Sequence, residues 1–263
     1  MTGYTSSIPC ALTIAGSDPS GGAGIQADLK TFHQLGVYGQ AAITLLTVQN
    51  TVTVRRVEVM ALDLVLEQIA AVLEDIPPAA AKTGALGSPE LIEGVATAAA
   101  AWAFPLVVDP VMVSKHGARL AASDAVAAFR SYLIPRAALL MPNVPEAEAL
   151  CGFEVDTLKD MERAASTLLD LGAAAVLIKG GHLTGAPIDL YVDQKERFTL
   201  SAERIETPHT HGTGCTYSAA VTAGLARGLQ MGDAVRQAKS FVDRAIRSNP
   251  GLGHGCGPLN HWV

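Results

Sequence analysis

Short apolar runs alternate with longer Ala- and Leu-rich segments along this chain of 263 residues. The short runs predict strands at residues 11–15, 41–48, 106–109, 138–141 and 174–178. The longer segments show helical spacing and predict helices at residues 28–35, 63–74, 123–133, 217–227 and 233–247. Because strand and helix patterns alternate in this way in βαβ units, we predict an α/β fold with a mostly parallel central sheet.

Local signals refine this outline. Ser88 precedes Pro89 and predicts a helix cap followed by proline at the first helical position, and Thr157 with Asp160 resembles a capping box. After residue 178, two β-rich pieces at residues 189–192 and 197–202 predict an antiparallel hairpin at one edge of the sheet. Since no linker, charge block or repeat interrupts the chain, we expect a single domain over residues 1–263.

Composition narrows the class of partner. With 49% apolar and 17% charged residues the chain is not of a disordered type, and its net charge of -6 offers no basic field to nucleic acid or anionic lipid. No run of about 20 predominantly apolar residues predicts a membrane span. Cys10, Cys151, Cys215 and Cys256 form no CxxC pair, which favours a reducing, cytoplasmic location. We expect a small-molecule partner.

Polar residues follow three of the predicted strands at their carboxyl ends, where ligands bind in open α/β sheets. Asp109 closes one apolar run, Asn143 and Glu146 follow the next, and Lys179 follows a third. Any one of them could simply cap a helix. Three such positions on one edge favour a functional site.

A Thr-His-Gly-Thr-Gly-Cys-Thr segment at residues 210–216 precedes the predicted helix at 217–227. Free amides at a helix N-terminus form an anion site, although a tight turn that needs glycine is an equal alternative from this motif alone. Cys215 would have a lowered pKa there and could act as base or nucleophile. His209 and His211 lack zinc-ligand spacing, so loop or supporting roles are expected.

A second glycine-rich loop, at residues 16–24, joins a predicted strand to a helix. Residues 22–27 match the form G-x-G-x-x-A, but the first acid after Asp28 is Glu58, whereas a dinucleotide site expects one about 20 positions on. A Walker A loop is also missing from the sequence. Dehydrogenase and P-loop functions are therefore disfavoured. Lys82 and Lys115 are expected to be solvated loop lysines, with Lys115 on the same strand-end side as Asp109.

Taken together, seven segments closely resemble the hydroxymethylpyrimidine/phosphomethylpyrimidine kinases of thiamine biosynthesis. They are ALTIAGSDPSGGAGIQADLK at 11–30, VQNT at 48–51, VDPVM at 108–112, PNVPEA at 142–147, IKGGH at 178–182, HGTGCT at 211–216 and GHGCGPLNH at 253–261. The resemblance runs in order over nearly the whole chain. It implies a ribokinase-like three-layer α/β/α fold, two successive ATP-dependent phosphorylations, Mg²⁺ as cofactor and a homodimer.

The resemblance also implies roles for individual residues. The first phosphorylation would act on 4-amino-5-hydroxymethyl-2-methylpyrimidine and the second on its monophosphate. The implied catalytic residues are Gly212, Thr213 and Gly214 as anion hole and Cys215 as base; the metal would be held by Asp109 and Glu146; the nucleotide by Lys179, Asn143, Thr210 and Lys115; and the pyrimidine by Gly16, Asp28, Gln49, Ala85 and Val111.

Two departures bear on the substrate. Many relatives have methionine where this chain has Ala85, which would open one pocket wall, and many have Lys-Ser-Gly where this chain has Lys-His-Gly at residues 115–117. Pyridoxal kinases share the fold, so pyridoxal or pyridoxine phosphorylation is the alternative function. A nucleotide-binding regulator without catalysis is disfavoured, because the loop, Asn143, Glu146 and Lys179 are all present.

Overall fold

The computed structural model describes residues 8–112, 124–181 and 187–263, and a nine-stranded sheet lies at its centre. The strands are β1 (Cys10–Ser17), β2 (Tyr38–Gln49), β3 (Val54–Val59), β4 (Ala80–Thr83), β5 (Leu106–Val108), β6 (Leu139–Leu140), β7 (Ala175–Ile178), β8 (Ile188–Asp193) and β9 (Arg197–Ser201). Their order across the sheet is β3-β2-β1-β4-β5-β6-β7-β8-β9.

The six central strands, from β2 to β7 in sheet order, are parallel. β8 and β9 continue the sheet as an antiparallel hairpin. The predicted α/β class, the mostly parallel sheet and the edge hairpin are thereby confirmed. Since parallel strands all end on the same side, the residues that follow β1, β2, β4, β5, β6 and β7 lie along one edge of the sheet.

Eight α-helices flank the sheet in the described ranges. They are α1 (Gly24–Gln34), α2 (Leu62–Asp75), α3 (Pro89–Ala99), α4 (Ala125–Ala128), α5 (Val144–Cys151), α6 (Leu158–Asp170), α7 (Thr213–Ala226) and α8 (Met231–Arg247). α4 continues into a π-helical turn, Phe129–Leu133, and a 3-10 turn, Ile134–Arg136. Within 8–112, 124–181 and 187–263, no helix has the length and apolar character needed to cross a bilayer.

Neighbouring residues of the central strands point to opposite faces of the sheet and enter different cores. Val108 and Leu140 pack with residues of α2, α3, α5 and α6, whereas Val107 and Leu139 pack with residues of α7 and α8. A smaller cluster on the second face joins α1 to α7 through Phe32. Because both faces are covered, the strands read as continuous apolar runs, and the fold has three layers.

The predicted caps form as expected. Ser88 accepts a hydrogen bond from the amide of Leu91 at the start of α3, with Pro89 in the first helical position. Thr157 and Asp160 form a reciprocal capping box at the start of α6. Each cap satisfies amides that a helix leaves without intrahelical partners.

Two strands are missing from the sequence prediction. β3 is antiparallel to β2 at the edge opposite the hairpin, and its Arg55, Arg56 and Glu58 face solvent, as is common for an edge strand. β4 has the sequence AAKT, whose alanines have little strand preference. β4 is nevertheless entirely buried between β1 and β5, because strand formation there is decided by pairing on both sides.

Two helices begin earlier than predicted. α1 begins at Gly24 rather than at residue 28, and α7 begins at Thr213 rather than at residue 217. Glycine is a poor helix former, so both segments look like loops in the sequence. The helix predicted at 123–133 begins at Ala125, and residue 123 lies outside the described ranges.

Candidate active site

Asp109 and Lys179, which follow β5 and β7, form an ion pair at the carboxyl edge of the sheet. The Lys179 Nζ atom lies 2.7 Å from Asp109 Oδ1, and Ser218 of α7 donates a hydrogen bond to Asp109 Oδ2 at 3.3 Å. Asp109 is buried, and the side chain of Lys179 is 14% exposed. Burial by itself would lower the pKa of Lys179, but Asp109 and Glu146 hold it above its ordinary value. The ammonium group therefore stays charged.

The N-terminus of α7 faces this pair. A methyl group placed on Gly214 would lie 3.4 Å from Lys179 Nζ and 3.6 Å from Asp109 Oδ2. The amide of Thr213 is bonded to the carbonyl of Thr210 at 3.3 Å, whereas those of Gly214 and Cys215 have no backbone partner among the described residues. Two amides without a backbone partner, the positive end of a helix and a lysine thus lie close together, which is an arrangement that binds anions.

Gly212 makes this arrangement possible. It is the residue before α7, its φ is +82°, and a Cβ atom there would collide with the carbonyl oxygen of Gly22 in the first glycine-rich loop. Glycine is required at this point for its backbone conformation and for the close approach of the two loops. The two glycine-rich loops therefore form one continuous surface.

Asn143 and Glu146 form a capping box at the start of α5. Asn143 Oδ1 accepts from the amide of Glu146 at 2.9 Å, and Glu146 Oε2 accepts from the amide of Asn143 at 2.8 Å. The cap lies next to Lys179, whose amide donates to the carbonyl of Pro142 at 2.9 Å. Burial raises the pKa of Glu146 to about 7, and Asp109 adds to this effect while Lys179 opposes it. One oxygen of Glu146 is thus engaged in the cap.

Cys215 lies in the first turn of α7, but its pKa is raised, whereas the sequence analysis predicted that it is lowered. Burial raises the pKa of the thiol to about 12, although Lys82 and the amide of Gly24 both favour the thiolate. The expected effect of the helix terminus is outweighed because desolvation penalises the charged form more strongly. The thiol is protonated at neutral pH in this structure.

Lys82 is not a solvated loop lysine. It belongs to β4 and is completely buried, with its Nζ atom 2.8 Å from Asp28 Oδ1. Thr13 donates to Asp28 Oδ2 at 2.6 Å, so both oxygens of this aspartate are engaged and it is itself fully buried. The contact of Asp28 with the pyrimidine stays a prediction, and both of its oxygens already have protein partners. Asp28 positions Lys82, and Lys82 approaches Cys215 closely enough to affect its pKa.

Asp18 is a site residue that the sequence analysis missed, and it contacts His211, for which a loop or supporting role was expected. Asp18 holds the first glycine-rich loop, because its carboxylate accepts from Ser20 and from the amide of Ala23. His211 is buried, and its Nε2 atom lies 2.7 Å from Asp18 Oδ2. Gln49, at the end of β2, places its amide nitrogen 3.1 Å from the same ring atom. The place of Asp18 inside the first glycine-rich motif is the signal that could have identified it.

The remaining predicted pocket residues are held mainly through their backbones. Ala85 accepts a hydrogen bond from Thr44 at 2.6 Å, and the amide of Val111 donates to the carbonyl of Asp109 at 2.9 Å. Gly16 packs against Leu45, which a Cβ atom would approach to 2.5 Å.

Of the predicted nucleotide-binding residues, Thr210 is tied to the start of α7 by the hydroxyl of Thr213, at 2.7 Å. Lys115 lies outside the described residues.

Comparison with known proteins places this site in a family. The sequence profile described as phosphomethylpyrimidine kinase matches residues 18–260. The chain belongs to this family. The profile therefore covers the Asp18 loop, the ion pair of Asp109 and Lys179, and the start of α7. The predicted resemblance, the kinase class and the ribokinase-like fold are confirmed.

Individual relatives agree over nearly the full length. The chain is 48% identical over 257 residues to the hydroxymethylpyrimidine/phosphomethylpyrimidine kinase of Synechococcus elongatus, covering 97% of this chain and 98% of the relative. It is 46% identical over 260 residues to that of Bacillus subtilis, with coverages of 98% and 96%.

Solved structures extend the comparison. A phosphomethylpyrimidine kinase from Clostridium difficile is similar with a TM-score of 0.81 and 43% identity, covering 90% of this chain and 99% of that one. The ADP complex of Bacillus subtilis pyridoxal kinase is similar with a TM-score of 0.89 and 39% identity, covering 97% and 98%.

Proposed function

We propose that this kinase uses ATP to phosphorylate 4-amino-5-hydroxymethyl-2-methylpyrimidine and then its monophosphate, at the edge where Lys179, Asp109 and Gly214 meet. The observation that carries the proposal is the closeness of Lys179 to Gly214 at the start of α7, where the amides of Gly214 and Cys215 have no backbone partner among the described residues. In phosphoryl transfer, the protein mainly positions the reactants and stabilises negative charge. A lysine held against a helix N-terminus supplies both.

The proposed nucleotide contacts follow from this geometry. Lys179 would bind phosphate oxygens of ATP, and the amides of Gly214 and Cys215 would receive the moving phosphoryl group. Thr213, whose amide is already bonded, would contribute less to the anion hole than was predicted. Asn143, Thr210 and Lys115 are proposed to contact the nucleotide as well. The relatives solved with ADP or AMP-PCP support ATP as the phosphate donor.

Mg²⁺ fits the same edge. Asp109 and Glu146 are two buried carboxylates close enough to raise the pKa of Glu146, and Lys179 is the lysine that both influence. A bound cation would reduce the repulsion between the carboxylates of Asp109 and Glu146. The described residues contain no cluster of three His, Cys, Asp or Glu side chains for a metal. Mg²⁺ typically needs only one or two carboxylates, with phosphate oxygens and water completing its coordination.

Cys215 is the proposed general base for the substrate hydroxyl. Its position in the first turn of α7 and its closeness to Lys82 support the role. Cys215 can accept the proton of the substrate hydroxyl only as a thiolate, so the thiol would first release its own proton to solvent. The loose transition state of phosphoryl transfer asks for proton removal only as the hydroxyl attacks. Lys82 would stabilise this thiolate before the transfer, and the thiol would re-form when it takes the proton of the hydroxyl.

The pyrimidine pocket is proposed to lie among Gly16, Gln49, Ala85 and Val111, with Asp28 acting through Lys82. These residues belong to neighbouring strand ends or follow them. Ala85 adds little volume, so we expect room for a ring substituent on that side. Pyridoxal is the second candidate substrate, because kinases solved with pyridoxal share the fold over 97–98% of this chain.

We also propose that the kinase is a homodimer, a single domain and cytoplasmic. Leu46, Val48 and Val59 are exposed apolar residues on β2 and β3, which supports the proposed homodimer. Residues 1–263 are proposed to form a single kinase domain, and the one continuous sheet supports this. The four cysteines without a CxxC pair support the cytoplasmic location.

The proposed function is tested by incubating the purified protein with ATP, Mg²⁺ and either the pyrimidine alcohol or pyridoxal, and by following products by mass spectrometry. We expect successive mono- and diphosphate of the pyrimidine, with a higher kcat/KM than for pyridoxal phosphate formation. Lys179→Met should abolish both activities while the fold is retained. A higher kcat/KM for pyridoxal would assign the second function instead, and no product from either alcohol would refute the proposal.

A further inference from the structure

Three side chains meet at one ring nitrogen beside the proposed pyrimidine pocket. His211 Nε2 lies 2.7 Å from Asp18 Oδ2 and 3.1 Å from the amide nitrogen of Gln49. Asp18 and His211 are buried and come from the two glycine-rich loops, while Gln49 is partly exposed at the end of β2. A single ring nitrogen cannot donate to the first neighbour and accept from the second at the same time.

The contact with Asp18 decides where the proton is. Burial alone would raise the pKa of Asp18, but hydrogen bonds from His211 and Ser20 outweigh burial and lower it, so the group is a carboxylate. A carboxylate 2.7 Å from a ring nitrogen requires a hydrogen on that nitrogen, since two lone pairs would repel at this distance. His211 therefore donates from Nε2.

The proton on His211 in turn decides how the amide of Gln49 is turned. An N–H group repels the NH2 end of an amide at 3.1 Å and attracts its oxygen. The two ends of the amide have nearly the same size, so half a turn about the last side-chain bond exchanges them without other movement. The favoured arrangement places the oxygen of Gln49 toward His211. The NH2 group then takes the opposite position, where it has no hydrogen-bond partner among the described residues.

We infer that Asp18 and His211 are positioning residues that hold the Gln49 amide with its NH2 group toward the substrate, so that the kinase selects a ring carrying a hydrogen-bond acceptor there. The inference deepens the proposed function and rests on it. In the aminopyrimidine, a ring nitrogen beside the amino-bearing carbon is such an acceptor. The amino group itself is a donor and would not satisfy the NH2 group of Gln49.

Two substrate analogues separate these possibilities. In the first, the ring nitrogen beside the amino-bearing carbon is replaced by C–H, and in the second the amino group is replaced by hydrogen. We expect kcat/KM of the unaltered kinase to fall roughly tenfold for the first analogue, mainly through KM, because one hydrogen bond is lost and the NH2 group is left without a partner. The second analogue should be affected less. The reverse order of the two losses would overturn the inference.

Variants of His211 test whether this residue sets the preference. His211→Met removes the donor and leaves the amide free to turn, so the discrimination against the first analogue should fall to about twofold or less. His211→Gln supplies an NH2 group with one hydrogen for Asp18 and one for Gln49, and should restore most of the discrimination. A purely structural role would change the rates for all substrates together and leave their ratio as it is. An unchanged ratio in a folded His211→Met variant would refute the inference.

A second residue keeps the test decisive if His211→Met fails to fold. Gln49→Glu replaces the donor by an oxygen, and we expect its kcat/KM for the parent alcohol to lie below that of Gln49→Ala, because an acceptor then faces the ring acceptor. A value above that of Gln49→Ala would overturn the inference. Turnover of the parent alcohol without the expected ratio refutes the inference alone, whereas no turnover removes the proposed function and the inference with it.

Discussion

Two lysines carry the positive charge of the site, and each is paired with a buried aspartate. Lys179 is paired with Asp109 beside the amides at the start of α7, and Lys82 is paired with Asp28 in the fully buried interior. Lys179 retains some exposure and can change partners when phosphate binds, whereas Lys82 is completely buried. The pair of Lys179 and Asp109 can therefore take part in phosphate binding. The pair of Lys82 and Asp28 instead acts on Cys215, whose thiolate Lys82 favours.

Cys215→Ala should lower kcat by roughly 10²–10⁴-fold, the usual contribution of a general base, with little change in KM for ATP. Because burial raises the pKa of the thiol to about 12, kcat of the unaltered kinase should keep rising between pH 7 and pH 9 as more thiolate becomes accessible. This rise should be absent from the variant. Steady-state kinetics across this pH range provide the measurement.

Cys151→Ala is the matched control, since its thiol faces the carbonyl of Ala164 at the end of α5. Its kcat and pH profile should resemble those of the unaltered kinase. A Cys215→Ala variant with full turnover would remove the proposed role of the thiol.

Asp28→Asn should lower the free energy of unfolding by about 3–5 kcal/mol, because Lys82 would be left buried without its counterion. The double variant Asp28→Asn, Lys82→Met should recover part of this loss. Urea unfolding followed by circular dichroism measures both values. Arg56→Met breaks the exposed pair with Glu58 and should change stability by less than about 1 kcal/mol. Equal losses at the two sites would contradict the prediction.

The sequence indicates which residues follow strand ends but not how deeply they are buried. Asp109, Glu146 and Lys179 were found because each comes directly after an apolar run. Lys82 was missed because its strand, AAKT, lacks β-branched residues except at its end, and because nothing local shows that Asp28 neutralises it. The pKa of Cys215 was predicted in the wrong direction, since a motif shows a helix terminus but not the desolvation around it.

At the level of elements, the starts of α1 and α7 are the parts that shape the site. Both begin in glycine-rich motifs, and Gly24 and Gly212 have positive φ angles there. The central strands other than β4 could be predicted because burial on both faces leaves a continuous apolar run. The starts of these helices could not, because contacts between the two loops, rather than local preference, decide them.

Gly212→Ala should lower the free energy of unfolding by clearly more than Gly228→Ala, although both glycines have nearly the same φ angle, +82° and +85°. The reason is that a Cβ atom at 212 collides with Gly22, whereas one at 228 meets nothing within 4 Å. We expect about 1 kcal/mol for Gly228→Ala from backbone strain alone and at least about 1 kcal/mol more at Gly212.

Thermal and urea unfolding of the two variants give the comparison, and KM for ATP should rise only for Gly212→Ala. Similar losses of stability would show that strain, rather than contact between the loops, requires glycine at this position.

On the scale of the whole molecule, residues near the end of the chain support the site. The amide of His211 donates to the carbonyl of Gly257 at 3.0 Å, and the amide of Cys256 donates to the carbonyl of Thr51 at 2.8 Å. His261 is buried and lies 3.1 Å from the hydroxyl of Thr216 in α7. This segment thus links the β2–β3 turn to the start of α7.

Stability should decrease as the pH falls from about 6.5 to 4. Burial, assisted by Lys30, lowers the pKa of His261 from 6.5 to about 4, so the unfolded chain takes up the proton first. The contribution of His261 is complete above pH 6.5 and is lost through this range, by at most about 3 kcal/mol.

His261→Gln keeps a hydrogen-bonding group near Thr216 without a titrating ring, and its stability should therefore fall less steeply over the same pH range. Urea unfolding at several pH values measures the slope of each protein. Identical slopes would exclude His261 as the source of the pH dependence.

The bond between His211 and Gly257 has a consequence for how the protein is made. A growing chain can complete the sheet and both glycine-rich loops before the residues around Gly257 have left the ribosome. Until then His211 lacks one of its supports, and the donor that we infer for the substrate is not fixed. We therefore expect the nascent protein to gain substrate recognition only after residue 257 has emerged, and truncation before residue 257 to leave a chain that folds in part without selecting its ring.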